Sequence, residues 1–163
     1  MITLHLLRHA KSSWDEPGLA DTERPLNTRG KRACKLMAQV FLQQDGALQN
    51  IYCSPARRAR QTLERISAQL PEALQWQIDN SLYTFDVEDL LEWLQSQVTD
   101  AAHVTLVGHN PALTDLCNYL GDTPVANLPT CAYARIEFDI ASWHKVSVRQ
   151  GKLARLIRPK DFD

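Results

Sequence analysis

The stretch MITLHLLRHAKSSW, residues 1–14, decides the reading of this chain. Seven mostly apolar residues run directly into Arg8-His9-Ala10-Lys11-Ser12. A short run that is apolar on both alternating faces, interrupted only by His5, reads as a strand covered by helices on both sides of a sheet. Such a strand has no obvious reason to end on an arginine and a histidine, unless its end is where the chemistry is.

The same event recurs twice. Asn50 to Cys53 is a second short strand candidate, and it runs into Ser54-Pro55-Ala56-Arg57-Arg58-Ala59-Arg60. His103 to Val107 is another, and it runs into Gly108-His109-Asn110-Pro111. Between them lie helical spacings. Ala33, Leu36, Met37, Val40 and Phe41 predict a helix over Gly30 to Gln44, and Ala59, Leu63, Ile66 and Leu70 predict a second. Asp86 reads as the cap of a third, with Val87, Leu90, Leu91, Leu94 and Val98 on one face. Leu113, Leu116, Cys117 and Leu120 mark a fourth, closed by Gly121. Ser54-Pro55 and Asn110-Pro111 both read as a cap followed by proline at the first helical position. Leu19 to Arg29 reads as a loop, and Trp76 to Ile78 as a third strand in chain order. After residue 130 the pattern turns β-rich, with Tyr133 to Ile140, Lys145 to Arg149 and Lys152 to Ile157 as extended segments. Strands alternating with helices predict an α/β sandwich, its central sheet mostly parallel with an antiparallel edge and flanked by helices. The chain reads as a single domain, 1–163.

Ligands of open parallel sheets sit beyond the carboxyl ends of the strands. There this chain gathers Arg8, His9, Arg58 and His109, and the three segments that supply them contain no carboxylate. The net charge of -1, from 18 basic and 19 acidic residues, gives no global field for nucleic acid or an anionic membrane. A local cluster of guanidinium and imidazole groups instead suits a tetrahedral dianion, above all a phosphoryl group. Neutral imidazole is a good nucleophile toward phosphorus near neutral pH. The arginines and a protonated second histidine can then neutralise the equatorial oxygens without a metal or cofactor. No His-x-x-x-His pair, cysteine cluster, Walker loop or GxGxxG is present. Cys34, Cys53, Cys117 and Cys131 read as small buried hydrophobes of a cytoplasmic protein, and His5, His103 and His144 as structural.

The stretches LLRHAKS, YCSPARRARQT and LVGHNP, in this order, resemble the histidine phosphatase superfamily, with its phosphoglycerate mutase-like three-layer fold. The pattern SxxxRAxQT falls on Ser54, Arg58, Ala59, Gln61 and Thr62, and ERPLNTRG resembles the segment before the family's first helix. Within the superfamily the chain is similar to the short SixA-type phosphohistidine phosphatases, and Ala10 stands where most of the superfamily has glycine. The resemblance implies that His9 attacks phosphorus, that Arg8 and Arg58 bind the phosphoryl oxygens, and that His109 stabilises the transition state. It implies a supporting place for Ser12 in the phosphate pocket. It also implies a phosphorylated protein substrate, such as a histidine-containing phosphotransfer domain. Arg57 and Arg60 do not match the catalytic arginine and read as surface or steering residues. Trp14 reads equally as packing or steering. With no heptad pattern, a monomer is expected.

Larger members of the superfamily supply a carboxylic acid to protonate an alkoxide leaving group. Here the stretch from Tyr83 to His103 is used up by one helix and a short loop. Asp86 and Glu88 are the candidate proton donors, although cap and first-turn roles explain such residues better. A chain without that acid suits a substrate whose leaving group needs none. Phosphohistidine is one, because its P–N bond is exchanged for another P–N bond. The alternative is a general phosphomonoesterase acting on a small phosphorylated metabolite.

Overall fold

The first strand, β1 (Ile2–Arg8), is buried from Ile2 to Leu7 inside a six-stranded sheet, with apolar side chains on both faces. The computed structural model describes residues 1–43 and 48–163, and its strands run in the order β3-β2-β4-β1-β5-β6. The partners of β1 are β4 (His103–Gly108), which is parallel, and β5 (Tyr133–Phe138), which is antiparallel. Beyond β4 come β2 (Ile51–Cys53) and the edge strand β3 (Trp76–Ile78), both parallel to it. Beyond β5 lies β6 (Gly151–Ile157), antiparallel to its neighbour.

Helices cover both faces. Ile2, Leu4 and Leu6 point into a core shared with α3 (Val87–Gln95) and α4 (Ala112–Leu120), while Leu7 points into a second core shared with α1 (Thr28–Leu42) and α2 (Arg57–Ser67). This is the three-layer sandwich expected from the alternating pattern, with a phosphoglycerate mutase-like layout. His5 is accommodated within it: Nδ1 lies 2.6 Å from the Tyr133 hydroxyl and Nε2 2.9 Å from His103 Nδ1. All four cysteines are buried free thiols. Among the described residues no helix is long and apolar enough to cross a membrane.

Several local expectations change. Lys145 to Arg149 is not a strand; Trp143–Lys145 forms a 3-10 turn. Trp143 is buried there and donates from Nε1 to the Ala101 carbonyl at 2.9 Å, which pulls the segment off the sheet. The helix α3 stops at Gln95, before Val98 is reached, and Val98 is exposed. Ser96 Oγ and Gln97 Nε2 each donate to the Trp93 carbonyl at 2.8 Å, closing the helix with side chains. Ser54 is not the cap of α2, which starts at Arg57 without a side-chain cap. Pro111, rather than Asn110, holds the N-cap position of α4, and Asn110 Oδ1 accepts from the Thr114 N–H from one place further out. The Leu19–Arg29 loop contains a 3-10 turn at Asp21–Glu23, and α1 begins two residues before Gly30. Gln44, at the far end of the predicted first helix, lies outside the described residues.

One contact ties α1 to the end of β1. Asn27 caps α1 by accepting from the Gly30 N–H at 2.8 Å, and its own N–H donates to the Lys11 carbonyl at 3.0 Å. A Cβ on Gly30 would collide with that same Lys11 carbonyl, so the helix can approach only as glycine. Gly30→Ala is therefore expected to cost about 1–3 kcal/mol in urea unfolding. Gly18→Ala, where an added Cβ meets nothing within 4 Å, serves as the control and should stay within about 0.5 kcal/mol.

Candidate active site

The ends of β1, β2 and β4 are stitched together before any side chain contributes. The His9 N–H donates to the Gly108 carbonyl at 3.1 Å, and the Ser54 N–H to the Val107 carbonyl at 3.0 Å. These bonds bring His9, Ser54, Arg58 and His109 to one place from three strand ends. They sit at a switch point, where α1 and α2 leave to one face of the sheet and α3 and α4 to the other.

His9 is buried, and its Nδ1 lies 2.7 Å from the Ala10 carbonyl. A carbonyl oxygen only accepts, so Nδ1 carries the proton and Nε2 keeps the lone pair. The backbone that holds this geometry is itself braced. The Ala10 N–H donates to Thr62 Oγ1 at 2.9 Å, and that hydroxyl donates to the Arg58 carbonyl at 2.7 Å. Gln61 Oε1 accepts from the Leu26 N–H at 2.9 Å. The paired Gln and Thr of the sequence pattern thus act on the loops around the nucleophile.

His109 lies 5.1 Å from His9, centroid to centroid. Arg58 Nη2 donates toward its Nδ1 at 3.3 Å, so the ring proton sits on Nε2 and is donated to Ser54 Oγ at 2.7 Å. That hydroxyl also accepts from the Ala56 N–H at 3.2 Å. Arg8 donates to the Leu128 carbonyl at 3.0 Å, while its buried Nε has no hydrogen-bond partner. A buried guanidinium N–H left open beside two other arginines is a feature of an anion site.

Arg8, His9 and Arg58 line a cleft of about 510 Å³, and His109 and Ser54 lie buried behind its wall. Its rim is aromatic and open, with Trp14 at 75% exposure and Phe85 at 46%. Trp14 is neither core packing nor a free surface group. It stacks on the Arg24 guanidinium, whose Cζ lies 3.2 Å from the ring centroid.

The sequence reading missed three residues. Asp21 enters the cleft from the Leu19–Arg29 loop: Oδ2 accepts from Arg58 Nη2 at 2.9 Å and from the Tyr83 hydroxyl at 2.6 Å, and Oδ1 from Arg24 Nη1 at 3.1 Å. Arg24 was visible only as part of the segment before α1, and here its Nη2 donates to Ser12 Oγ at 2.6 Å. Ser12 therefore holds Arg24 at the pocket wall. Tyr83 packs edge-on against His109 at 5.4 Å. A carboxylate three residues before an arginine in a proline-bearing loop was the signal available; nothing local said where that loop would land. Asp86 and Glu88 do not line the cleft. Asp86 Oδ1 accepts from the Glu88 N–H at 2.9 Å as the cap of α3, and both residues are exposed. Arg57 and Arg60 also stay outside, donating to the Glu23 and Pro55 carbonyls. Among the described residues no group of three or more His, Cys, Asp or Glu side chains could hold a metal ion.

Burial holds both site histidines neutral, with pKa values lowered to about 3; the field of Arg58 and Arg8 adds to this for each, and His9 adds to it for His109. The expected protonated second histidine is thus neutral in the ligand-free protein. Burial pushes the Asp21 pKa up, but hydrogen bonds from Tyr83, Arg58 and Arg24 outweigh it and hold the group down at about 2. His5 is also lowered to about 3, first by burial and then by His103 and Arg135. These three histidines stay neutral in the native state but take up protons near pH 6.5 when unfolded. Stability is therefore expected to fall as pH drops from about 6.5 toward 3, by up to about 1.4 kcal/mol per histidine per pH unit. Asp21 loses its own contribution as pH falls through about 2. Urea unfolding at pH 7.0, 6.0 and 5.0 checks this; a stability that is flat across the series contradicts it.

The comparisons with known proteins agree with this geometry. Residues 4–92 match the family model described as the histidine phosphatase superfamily, branch 1. An uncharacterized chloroplastic protein of Arabidopsis thaliana is 30% identical over 96% of this chain and 77% of its own length. The structure of the protein histidine phosphatase SixA complexed with tungstate superposes with a TM-score of 0.81 at 25% identity, covering 99% of this chain and all of the other. A mycobacterial glucosyl-3-phosphoglycerate phosphatase shares the fold at a TM-score of 0.65 and 14% identity, covering 95% of this chain and 98% of the other. With its three strand ends meeting around His9, this chain belongs to the histidine phosphatase superfamily, and its fold is similar to that of SixA.

Proposed function

We propose that the chain hydrolyses phosphohistidine on a protein, through a phosphoryl intermediate on His9. Phosphatase activity is supported by the family and by the SixA-type match. The finer reading rests on one observation: Asp21 is the one carboxylate among the described residues lining the cleft, and it is held ionised. An ionised carboxylate has no proton to give an alkoxide at neutral pH. The cleft therefore favours a substrate that leaves without that help.

Phosphohistidine meets the condition. His9 Nε2 attacks phosphorus, a P–N bond forms to His9, and the P–N bond to the substrate ring breaks. The departing imidazole takes a proton from solvent. Water then attacks the phosphoryl group on His9, and phosphate leaves with His9 restored to its neutral form. Arg8 and Arg58 neutralise the equatorial oxygens through both steps. A dianion in the cleft opposes the field of Arg58 and Arg8, and so favours the protonated form of His109 against the burial that holds it neutral. The open aromatic rim admits a side chain presented on a protein surface.

The alternative, a phosphomonoesterase acting on a small metabolite, draws on the shared fold with glucosyl-3-phosphoglycerate phosphatase. It requires a proton donor, and Asp86 and Glu88 would have to reach the cleft from outside it.

Phosphate release from a phosphohistidine peptide and a phosphoserine peptide separates the two. The wild type is expected to act mainly on phosphohistidine with chelator present, and His9→Ala to fall by at least about 10³-fold. Faster turnover of the phosphoserine peptide, or activity surviving His9→Ala, overturns the proposal. Asp86→Asn combined with Glu88→Gln should stay within about twofold of wild type, since neither residue lines the cleft. A sharp loss would favour the esterase reading.

A further inference from the structure

Beside the catalytic cleft lies a second depression of about 300 Å³, between the start of α1 and the 3-10 turn at Pro159–Phe162. Lys11 and Thr130 line both, so the two form one continuous surface. Among the described residues the second groove is lined by Lys11, Arg29, Arg32, Arg158 and Lys160 against a single carboxylate, Asp163. That local excess stands out in a chain whose net charge is -1. Among the described residues no carboxylate lies within ion-pair distance of Lys11, Arg29 or Lys160. Arg158 pairs with Asp161 and Arg32 with Asp163, which leaves Lys11, Arg29 and Lys160 to attract a negative partner.

The chain itself shows what fits. The Asp163 carboxylate sits in the groove with Oδ1 2.8 Å from Arg32 Nη2, both side chains well exposed. An acidic side chain on a backbone segment is thus already an occupant of this surface. Among the described residues no aromatic side chain lines the groove, which gives no stacking platform of the kind single-stranded nucleic acid uses.

We infer that this groove docks an acidic segment of the phosphorylated protein, next in sequence to the phosphohistidine that enters the cleft. The inference rests on the proposal of a protein phosphohistidine substrate and names the recognition it uses. Charge complementarity at such a surface acts mainly on encounter and selectivity and is screened by salt. It selects substrates by what flanks the phosphorylated side chain rather than by the phosphoryl group.

Two readouts test it separately from the function. The first is binding of an unphosphorylated glutamate-rich peptide. Arg29→Glu combined with Lys160→Glu, both exposed and outside the catalytic cleft, should weaken that binding on the order of five- to tenfold. About 0.5 M salt should remove it. Asp163→Asn should strengthen it by roughly two- to fivefold, because Arg32 is released. The second is kcat/KM on phosphohistidine peptides flanked by glutamate or by serine. Wild type should prefer the glutamate flanks, the double variant should lose that preference, and turnover of the serine-flanked peptide should not change. Equal binding of the glutamate-rich peptide by wild type and double variant overturns the docking groove while leaving the phosphatase reading intact. Glutamate-peptide binding without turnover of either phosphohistidine peptide overturns the phosphatase reading and leaves the groove as an acidic-peptide site. A single-stranded RNA of matched charge that binds as tightly as the peptide overturns the assignment to an acidic protein segment.

Discussion

Among the described residues one carboxylate, Asp21, lies in a cleft lined by three guanidinium groups and the His9 imidazole, and it pairs with two of the three arginines. Arg58 is buried among groups of like sign, and Asp21 is what makes its position tolerable. Burying a charge is expensive unless a partner and hydrogen bonds come with it. Asp21 provides both, to Arg58 and to Arg24. The same carboxylate draws Tyr83 over the site, where the ring meets His109. The loop before α1 is therefore an internal counter-charge for the site. A phosphoryl dianion entering the cleft would find its arginines aligned in advance.

Much of this was legible in residues 1–14. An apolar run ending on Arg8-His9 implies a strand buried on both faces with its chemistry at the carboxyl end, and two further strands repeat the event. The pattern of periodicities gave the layers, and the order of the motifs gave the meeting of His9, Arg58 and His109. What could not be read was the destination of side chains that leave a loop. Asp21 and Arg24 carry no periodicity, and their loop is held at the site by contacts distant in sequence, among them the Leu26 N–H to Gln61 and the close approach of α1 to Lys11 that Gly30 permits. Ser54 shows the same limit from the other side. Its sequence context is that of a helix cap, yet its hydroxyl is taken by His109.

The tail of the chain shows why local β patterning overreaches. Residues 145–149 alternate as a strand should, but they follow Trp143, whose burial and hydrogen bond to the Ala101 carbonyl hold the segment away from the sheet. Tertiary packing overrode local preference, as is usual for β-structure.

The position of β1 in the sheet also bears on how the molecule is made. Its two neighbours come from the far half of the chain: Leu6 pairs with Leu106 on one side and with Ala134 on the other. Both ladders of β1 therefore join segments far apart in the chain. No strand that follows it closely in the chain can shield it, and the loop-closure cost of both ladders falls late in folding. Until those distant segments have formed, β1 is an unpaired and largely apolar β template, the circumstance that invites pairing with another copy. The arrangement that brings three strand ends to one phosphate site thus places the central strand's protection in remote parts of the chain.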